Sequence, residues 1–393
     1  MKYELAISSW SNEEKQVAKM VIDSGFTTMG KEVQEFEKMF AMHFGAKYCV
    51  MVNSGSSANL LAVAALFYTC DNPLKAGDEV IVPAVSWATT YYPLYQYGLH
   101  LKFVDIDIKT LNYDLEALES AITENTKMIM VVNLLGNPND FAKIKRMISD
   151  KNIILLEDNC ESLGAMFDGK YTGTFGRMGT FSSFFSHHIS TMEGGMILTD
   201  DEELYQILVS IRSHGWTRNL PKNNLVCSEK SDDQFKEQFR FVLPGYNVRP
   251  LELMGAIGKR QLEKVVEFNN FRCLNAKYFK QKFGDSKCFM LQEEIGQSSW
   301  FGFSLILKEG LPFSRKELLD YLTSKHIDTR PIVAGDFTKN EVLKFFDYEL
   351  VGEMKNAEYL DEFGFFVGNH QFDIRDKIDY LYDCIVQFVG GEV

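Results

Sequence analysis

One pattern governs the first half of the chain. A short apolar run gives way to an amphipathic stretch, and the alternation repeats from residue 47 to residue 158. The runs at 47–52, 79–83, 101–106, 127–134 and 152–156 have strand length and strand composition. The stretches 58–67, 115–122 and 140–149 carry apolar residues at helical spacing. Strands alternating with helices build a mostly parallel sheet with helices on both faces, so the fold class is α/β. Ligands of such sheets lie beyond the carboxyl ends of the strands. The residues just after each run are therefore the first candidates for chemistry.

The flanking regions follow the same reading. Residues 14–40 look like helix broken near Gly25 and Gly30. Strands are expected at 181–185 and 195–199, and a helix at 202–211. A long helix is expected at 251–283, with Pro250 in its first turn. Strands near 288–292 and 300–307, a helix at 314–325 and a last helix near 376–388 predict a second, smaller α/β unit. At 393 residues the chain is long for one compact core. We place the boundary near Phe268. Residues 1–268 then form an N-terminal segment and a large domain, and residues 269–393 a small one. The polar stretch 222–236 reads as an exposed or mobile loop.

A net charge of −13 argues against nucleic acid or an anionic membrane as partner, while a local basic pocket for a phosphorylated ligand is still allowed. The N-terminus lacks the apolar core of a signal peptide, and the longest apolar run, around 60–68, is too short to span a bilayer. The expectation is a soluble, cytoplasmic protein. Seven cysteines are scattered without a C-x-C or C-x-x-C pair, so neither a metal site nor an iron–sulfur cluster is expected.

Four places carry candidate chemistry. At 53–57 a strand runs through Asn-Ser-Gly-Ser-Ser into a helix. Free backbone N–H groups and the positive end of a helix dipole then face one spot and make an anion site, although a serine there is more often only a cap. Asp158 ends a strand in Glu157-Asp158-Asn159-Cys160-Glu161; taken alone, such a carboxylate is more often a salt bridge or a cap. Trp87 follows the run 79–83 and offers a flat face for stacking, or simply a core residue. Residues 181–200, FSSFFSHHISTMEGGMILTD, hold Ser182, the pair His187-His188 and Glu193-Gly194-Gly195.

That last segment resembles the sugar aminotransferase family of pyridoxal phosphate enzymes. Its members have a serine, four residues, a lysine, and then Glu-Gly-Gly or Asp-Gly-Gly. Five residues after Ser182, and six before Glu193, the count lands on His187, where the family has the lysine that bonds the cofactor. No lysine lies between Lys170 and Lys222. The resemblance runs from Asn53 to about Pro250. It implies a fold-type I PLP-dependent transferase, with a mostly parallel sheet in a large domain and a smaller C-terminal α/β domain. It implies that Gly55, Ser56 and Ser182 hold the cofactor phosphate, that Trp87 stacks on the ring and that Asp158 keeps the ring nitrogen protonated. Glu161 stands where the family usually has glutamine, beside the cofactor hydroxyl. Asn247, in Gly245-Tyr246-Asn247-Val248-Arg249, is implied to reach the phosphate of the partner subunit, and hence a homodimer with shared active sites. His214 and Arg330 fall on the implied substrate side. Arg330 would hold an anionic group such as the glutamate carboxylate, although a surface arginine is the plainer reading.

His187 decides the expected function. An imidazole cannot make the covalent link, but with an ordinary pKa of about 6.5 it can take or give a proton. An untethered cofactor favours its amine form, pyridoxamine phosphate, and a base beside it favours loss of a hydroxyl over amination. Histidine for lysine, with Met-Glu-Gly-Gly after it, is similar to the branch of the family that removes the C3 hydroxyl from nucleotide-linked 4-keto-6-deoxy sugars, GDP-4-keto-6-deoxy-D-mannose first among them. That branch uses L-glutamate to make pyridoxamine phosphate and releases 2-oxoglutarate and ammonia. Three alternatives stay open. One is a CDP-sugar 3-dehydratase with an iron–sulfur cluster, against which the ungrouped cysteines count. The others are a nucleotide-sugar aminotransferase with a replacement lysine, and a cofactor-binding scaffold without turnover. His188 is the rival base.

Overall fold

The computed structural model describes residues 1–391. Helix α1 (Asn12–Ser24) begins at a capping box in which Ser11 and Glu14 satisfy each other's backbone N–H groups. Gly25, at φ 73°, ends it in the left-handed region that a side chain would disfavour. Helix α2 (Lys31–Phe44) closes the same way at Gly45. Its Val33, Phe36, Phe40 and Phe44 recur at helical spacing and are buried with Phe181, Met196 and Leu262. Each such side chain contributes roughly 1.5–3 kcal/mol by leaving water.

The alternation read from the sequence becomes β1 (Tyr48–Val52), α3 (Gly55–Leu66), β2 (Glu79–Pro83), α4 (Ala88–Gln96), β3 (His100–Val104), α5 (Leu115–Ala121), β4 (Thr126–Val132), α6 (Phe141–Met147) and β5 (Ile154–Asp158). These strands lie in an eight-stranded sheet of order β1, Gly195–Thr199, Met178–Ser182, β5, β4, β2, β3, Tyr348–Val351. β1 and Met178–Ser182 pair antiparallel with Gly195–Thr199. The other pairings are parallel. A second sheet has the order Phe289–Met290, Gly302–Leu307, Gly364–Gly368, Thr329–Arg330 and is antiparallel throughout. It encloses its own core of Phe279, Phe283, Phe303, Phe365 and Ile378. The helix Glu252–Phe283 serves both bodies. Met254, Leu262 and Val265 pack with α2, whereas Phe279 stacks on Phe303 of the small sheet with centroids 4.3 Å apart. Residue 268 lies in the middle of this uninterrupted helix.

Several expected bounds give way. The strand at 181–185 is Met178–Ser182, because its ladder ends where Ser182 faces Gly195. Phe184 and Phe185 turn out into solvent instead. The helix expected from residue 58 starts at Gly55, which makes Ser54 the cap and places Gly55 and Ser56 in the first turn. Pro250 precedes the long helix, whose cap is Leu251. A helix not read from the sequence, α4, begins directly after Trp87. Its ATTYYPLYQ composition, with Pro93 inside, disfavours helix locally, but Tyr91 and Leu94 bury fully. The stretch 222–236 holds a two-residue hairpin, Asn223–Asn224 with Ser228–Glu229, and the short helix Gln234–Glu237.

Candidate active site

The amino end of α3 is built as an anion cradle. Ser54 accepts a hydrogen bond from the Ser57 N–H at 3.1 Å, and the Ser57 hydroxyl donates to Asn53 at 2.6 Å. The Ser56 hydroxyl donates to Thr89 at 2.9 Å, which joins the cradle to the first turn of α4. Two glycines allow the close approach of backbone that this needs. A Cβ on Gly195 would stand 2.2 Å from the Ser54 carbonyl oxygen, and one on Gly55 would meet Ser182 and the Cys160 sulfur. The last strand residue, Ser182, is thereby held against the helix start. Trp87 caps α4 and leaves 59% of its surface open.

Asp158 ends β5 within the same group. Its Oδ2 accepts from Asn59 Nδ2 and from the Thr90 hydroxyl, each at 2.8 Å, and its Oδ1 accepts from the Cys160 N–H at 3.1 Å. The Thr180 hydroxyl donates to Asn59 Oδ1 at 2.6 Å, which fixes that amide with its nitrogen toward the carboxylate. Every partner is neutral, so the charge of Asp158 is oriented but not cancelled. Glu161 lies three residues on. Burial, and then the charge of Asp158, push its carboxyl up to about 8, although it accepts the Leu135 N–H at 3.0 Å. It is a proton donor at neutral pH.

The loop after Ser182 brings the histidine pair to this end of the sheet. His187 is half-buried between the rings of Phe184 and Phe301, 5.9 and 5.1 Å away, both edge-on. Its Nδ1 is buried without a partner. Burial, and then the Arg272 guanidinium, hold its imidazole down to about 4, so the ring is neutral and able to accept a proton. His188 is fully buried, and its Nε2 lies 3.0 Å from the Ser299 carbonyl oxygen. That contact ties the His188 ring to the backbone, although its Nδ1 is likewise unpartnered, whereas the His187 ring is partly exposed and carries only edge contacts.

This donor set fits pyridoxal phosphate. A helix start with three hydroxyls suits the phosphate, an oriented carboxylate suits a protonated ring nitrogen, and an acid at Glu161 suits a phenolic oxygen. A profile of the DegT/DnrJ/EryC1/StrS aminotransferase family matches residues 8–365. The chain belongs to that family. GDP-4-keto-6-deoxy-D-mannose 3-dehydratase of Escherichia coli O55:H7 is 59% identical over 386 residues, which cover 98% of this chain and 100% of that one. A solved GDP-4-keto-6-deoxymannose-3-dehydratase with a trapped PLP-glutamate geminal diamine has a TM-score of 0.96 at 59% identity, covering 98% of this chain and 100% of that one. A histidine-to-asparagine variant of that enzyme, with bound GDP-perosamine, matches equally, with TM-score 0.96, 59% identity and the same coverage.

Three further predicted residues make their contacts elsewhere among the described residues. Asn247 is exposed. It pairs with Ser213 in an isolated bridge, and the neighbouring Val248 carbonyl accepts the Asn53 N–H at 3.0 Å. His214 is exposed at φ 66°, where the surface segment beyond Ser213 begins. Arg330 is exposed on a two-residue strand of the small sheet. Among the described residues, no hydrogen bond or ring contact links His214 or Arg330 to His187. Sequence reasoning missed Asn59, Thr90, Leu135 and Phe301. Asn59 offered one signal, a buried polar residue on an otherwise apolar helix. The others offered none.

Proposed function

We propose that this chain is a nucleotide-sugar 3-dehydratase acting on GDP-4-keto-6-deoxy-D-mannose, with L-glutamate as co-substrate. The observation that carries the reading is His187: a neutral imidazole with a free Nδ1 stands where the family's lysine belongs. When bound as its amine form, pyridoxamine phosphate, the cofactor supplies a primary amine for the keto carbon and an electron sink.

The chain's own residues do the rest. The start of α3 with Ser56 and Ser182 binds the phosphate, and Trp87 covers one face of the ring. Asp158, held by Asn59 and Thr90, keeps the ring nitrogen protonated. Glu161 donates its proton to the ring hydroxyl. His187 takes a proton at Nδ1 and returns one to the departing C3 hydroxyl. The same base serves the glutamate half-reaction. The sum balances: the sugar loses one oxygen atom, and glutamate gains it in becoming 2-oxoglutarate and ammonia. Asn247 completes the phosphate site of a second copy, so the working unit is a homodimer. His214 and Arg330 line the substrate side.

The test is incubation of the pyridoxal phosphate-loaded protein with glutamate and GDP-4-keto-6-deoxy-D-mannose. The expected result is one 2-oxoglutarate and one ammonia per deoxygenated sugar. A 4-amino sugar without ammonia release would assign the chain to transamination.

A further inference from the structure

A buried arginine without a counter-ion stands behind the histidine pair. Arg272, on the long helix, is 2% exposed. Among the described residues no carboxylate pairs with it. Its Nη1 donates to the carbonyls of Trp300, Phe301 and Asn369 at 3.4, 3.1 and 3.0 Å, and its Nε has no partner. Removing an unpaired guanidinium from water is costly. An apolar residue would fill the space at no such cost, so the backbone that this charge holds is the informative part.

That backbone is the segment Ser299-Trp300-Phe301. Trp300 sits at φ 49°, an uncommon conformation for a bulky residue, and needs to be held there. The Asn369 amide donates to the same Trp300 carbonyl at 2.8 Å. On the opposite side, the Ser299 and Phe301 N–H groups donate to the carbonyls of Gly136 and Leu135, each at 3.0 Å. Leu135 in turn donates to Glu161. The segment touches both histidines, through the Ser299 carbonyl on His188 and the Phe301 ring on His187.

We propose that Arg272 is a positioning residue for His187: it clamps the Trp300–Phe301 backbone so that the Phe301 ring locks the imidazole with Nδ1 free. The inference rests on His187 being the base. The electrostatics agree with the geometry. The groups facing His187 are Phe184 from its own loop, Phe301 and the adjacent His188, with the Arg272 charge acting from the helix. His370, beyond the same arginine, is likewise held low, first by burial and then by Arg272. A cation there disfavours imidazolium and keeps the base ready.

The test is NMR of apoprotein labelled at histidine and phenylalanine, with the His187 signal assigned by its loss in His187→Asn. In the wild type the imidazole does not titrate above pH 5 and shows a contact to the Phe301 ring. In Arg272→Met that contact is lost and the titration rises by about one pH unit. Arg272→Lys keeps the charge but cannot reach three carbonyls, so the titration stays low while the contact weakens. In the loaded enzyme, Arg272→Met lowers kcat about tenfold with KM for glutamate unchanged. Unchanged titration and contact in both Arg272 variants would overturn the proposal. If Arg272→Met fails to fold, Arg272→Lys and Phe301→Leu decide it, and an unaltered imidazole environment in both refutes the clamp. A fully active His187→Asn would instead sink the assignment of the base and leave the NMR coupling standing.

Discussion

Ser182 and Gly55 lie on a strand and a helix far apart in the chain, yet a Cβ placed on Gly55 would stand 2.7 Å from Ser182 Cβ and 3.0 Å from its Oγ. The proposed phosphate cradle requires that methyl group to be missing. Gly55→Ala should therefore push Ser182 and the α3 start apart. We expect at least a ~10-fold weaker dissociation constant for pyridoxal phosphate, about 1.4 kcal/mol, in a fluorescence titration of the apoprotein. Wild-type affinity would mean that the cradle lies elsewhere.

His187→Asn removes the proton acceptor but keeps a polar side chain of similar reach. Deoxygenated sugar should fall by roughly 10²–10⁴-fold, the usual contribution of a general base. Cofactor affinity should hold, because the phosphate and ring-nitrogen contacts are untouched. His188→Asn is the control for the rival base and should act mainly on stability, since that ring is bonded to Ser299.

If His187 occupies the family's lysine position as proposed, the cofactor is held without a covalent tether. After borohydride treatment and denaturation, intact-mass measurement should return the unmodified polypeptide. A cofactor-sized increment on any lysine would favour the aminotransferase alternative.

Glu161 predicts an alkaline limb. Its carboxyl is raised to about 8, so it is protonated at pH 7 and loses its proton as the pH passes through 8. Above that, a second negative charge beside Asp158 removes the donor, and activity falls. Glu161→Gln keeps a neutral donor, so it should retain activity at pH 7 and flatten that limb of the kcat/KM profile. An identical limb in the variant would assign it to another group.

Arg212 and Glu37 form a buried ion pair, and Arg212 also donates to the Met51 carbonyl of the strand that feeds the cradle. Arg212→Met leaves the glutamate buried and unpaired. We expect a loss of about 3–5 kcal/mol in chemical denaturation. The double replacement Glu37→Leu with Arg212→Met should recover most of it.

Local order along the chain is enough to read the periodic scaffold and the position of His187. Strand and helix periods are local, and so is the count from Ser182 to His187 to Glu193, which is why β2, Gly195–Thr199 and Glu202–Ile211 were legible to the residue. The rest comes from contacts made in the folded chain. Tyr348–Val351 returns to extend the large sheet beside β3, and its exposed, weakly patterned sequence carries no sign of a partner more than two hundred residues earlier. Pro93 hid α4, because burial of Tyr91 and Leu94 outweighs a poor local propensity. The surroundings of His187 come from Phe301 and Arg272, and the proton on Glu161 comes from burial. Both are set by low dielectric and by contacts across long loops, which residue type and spacing do not encode.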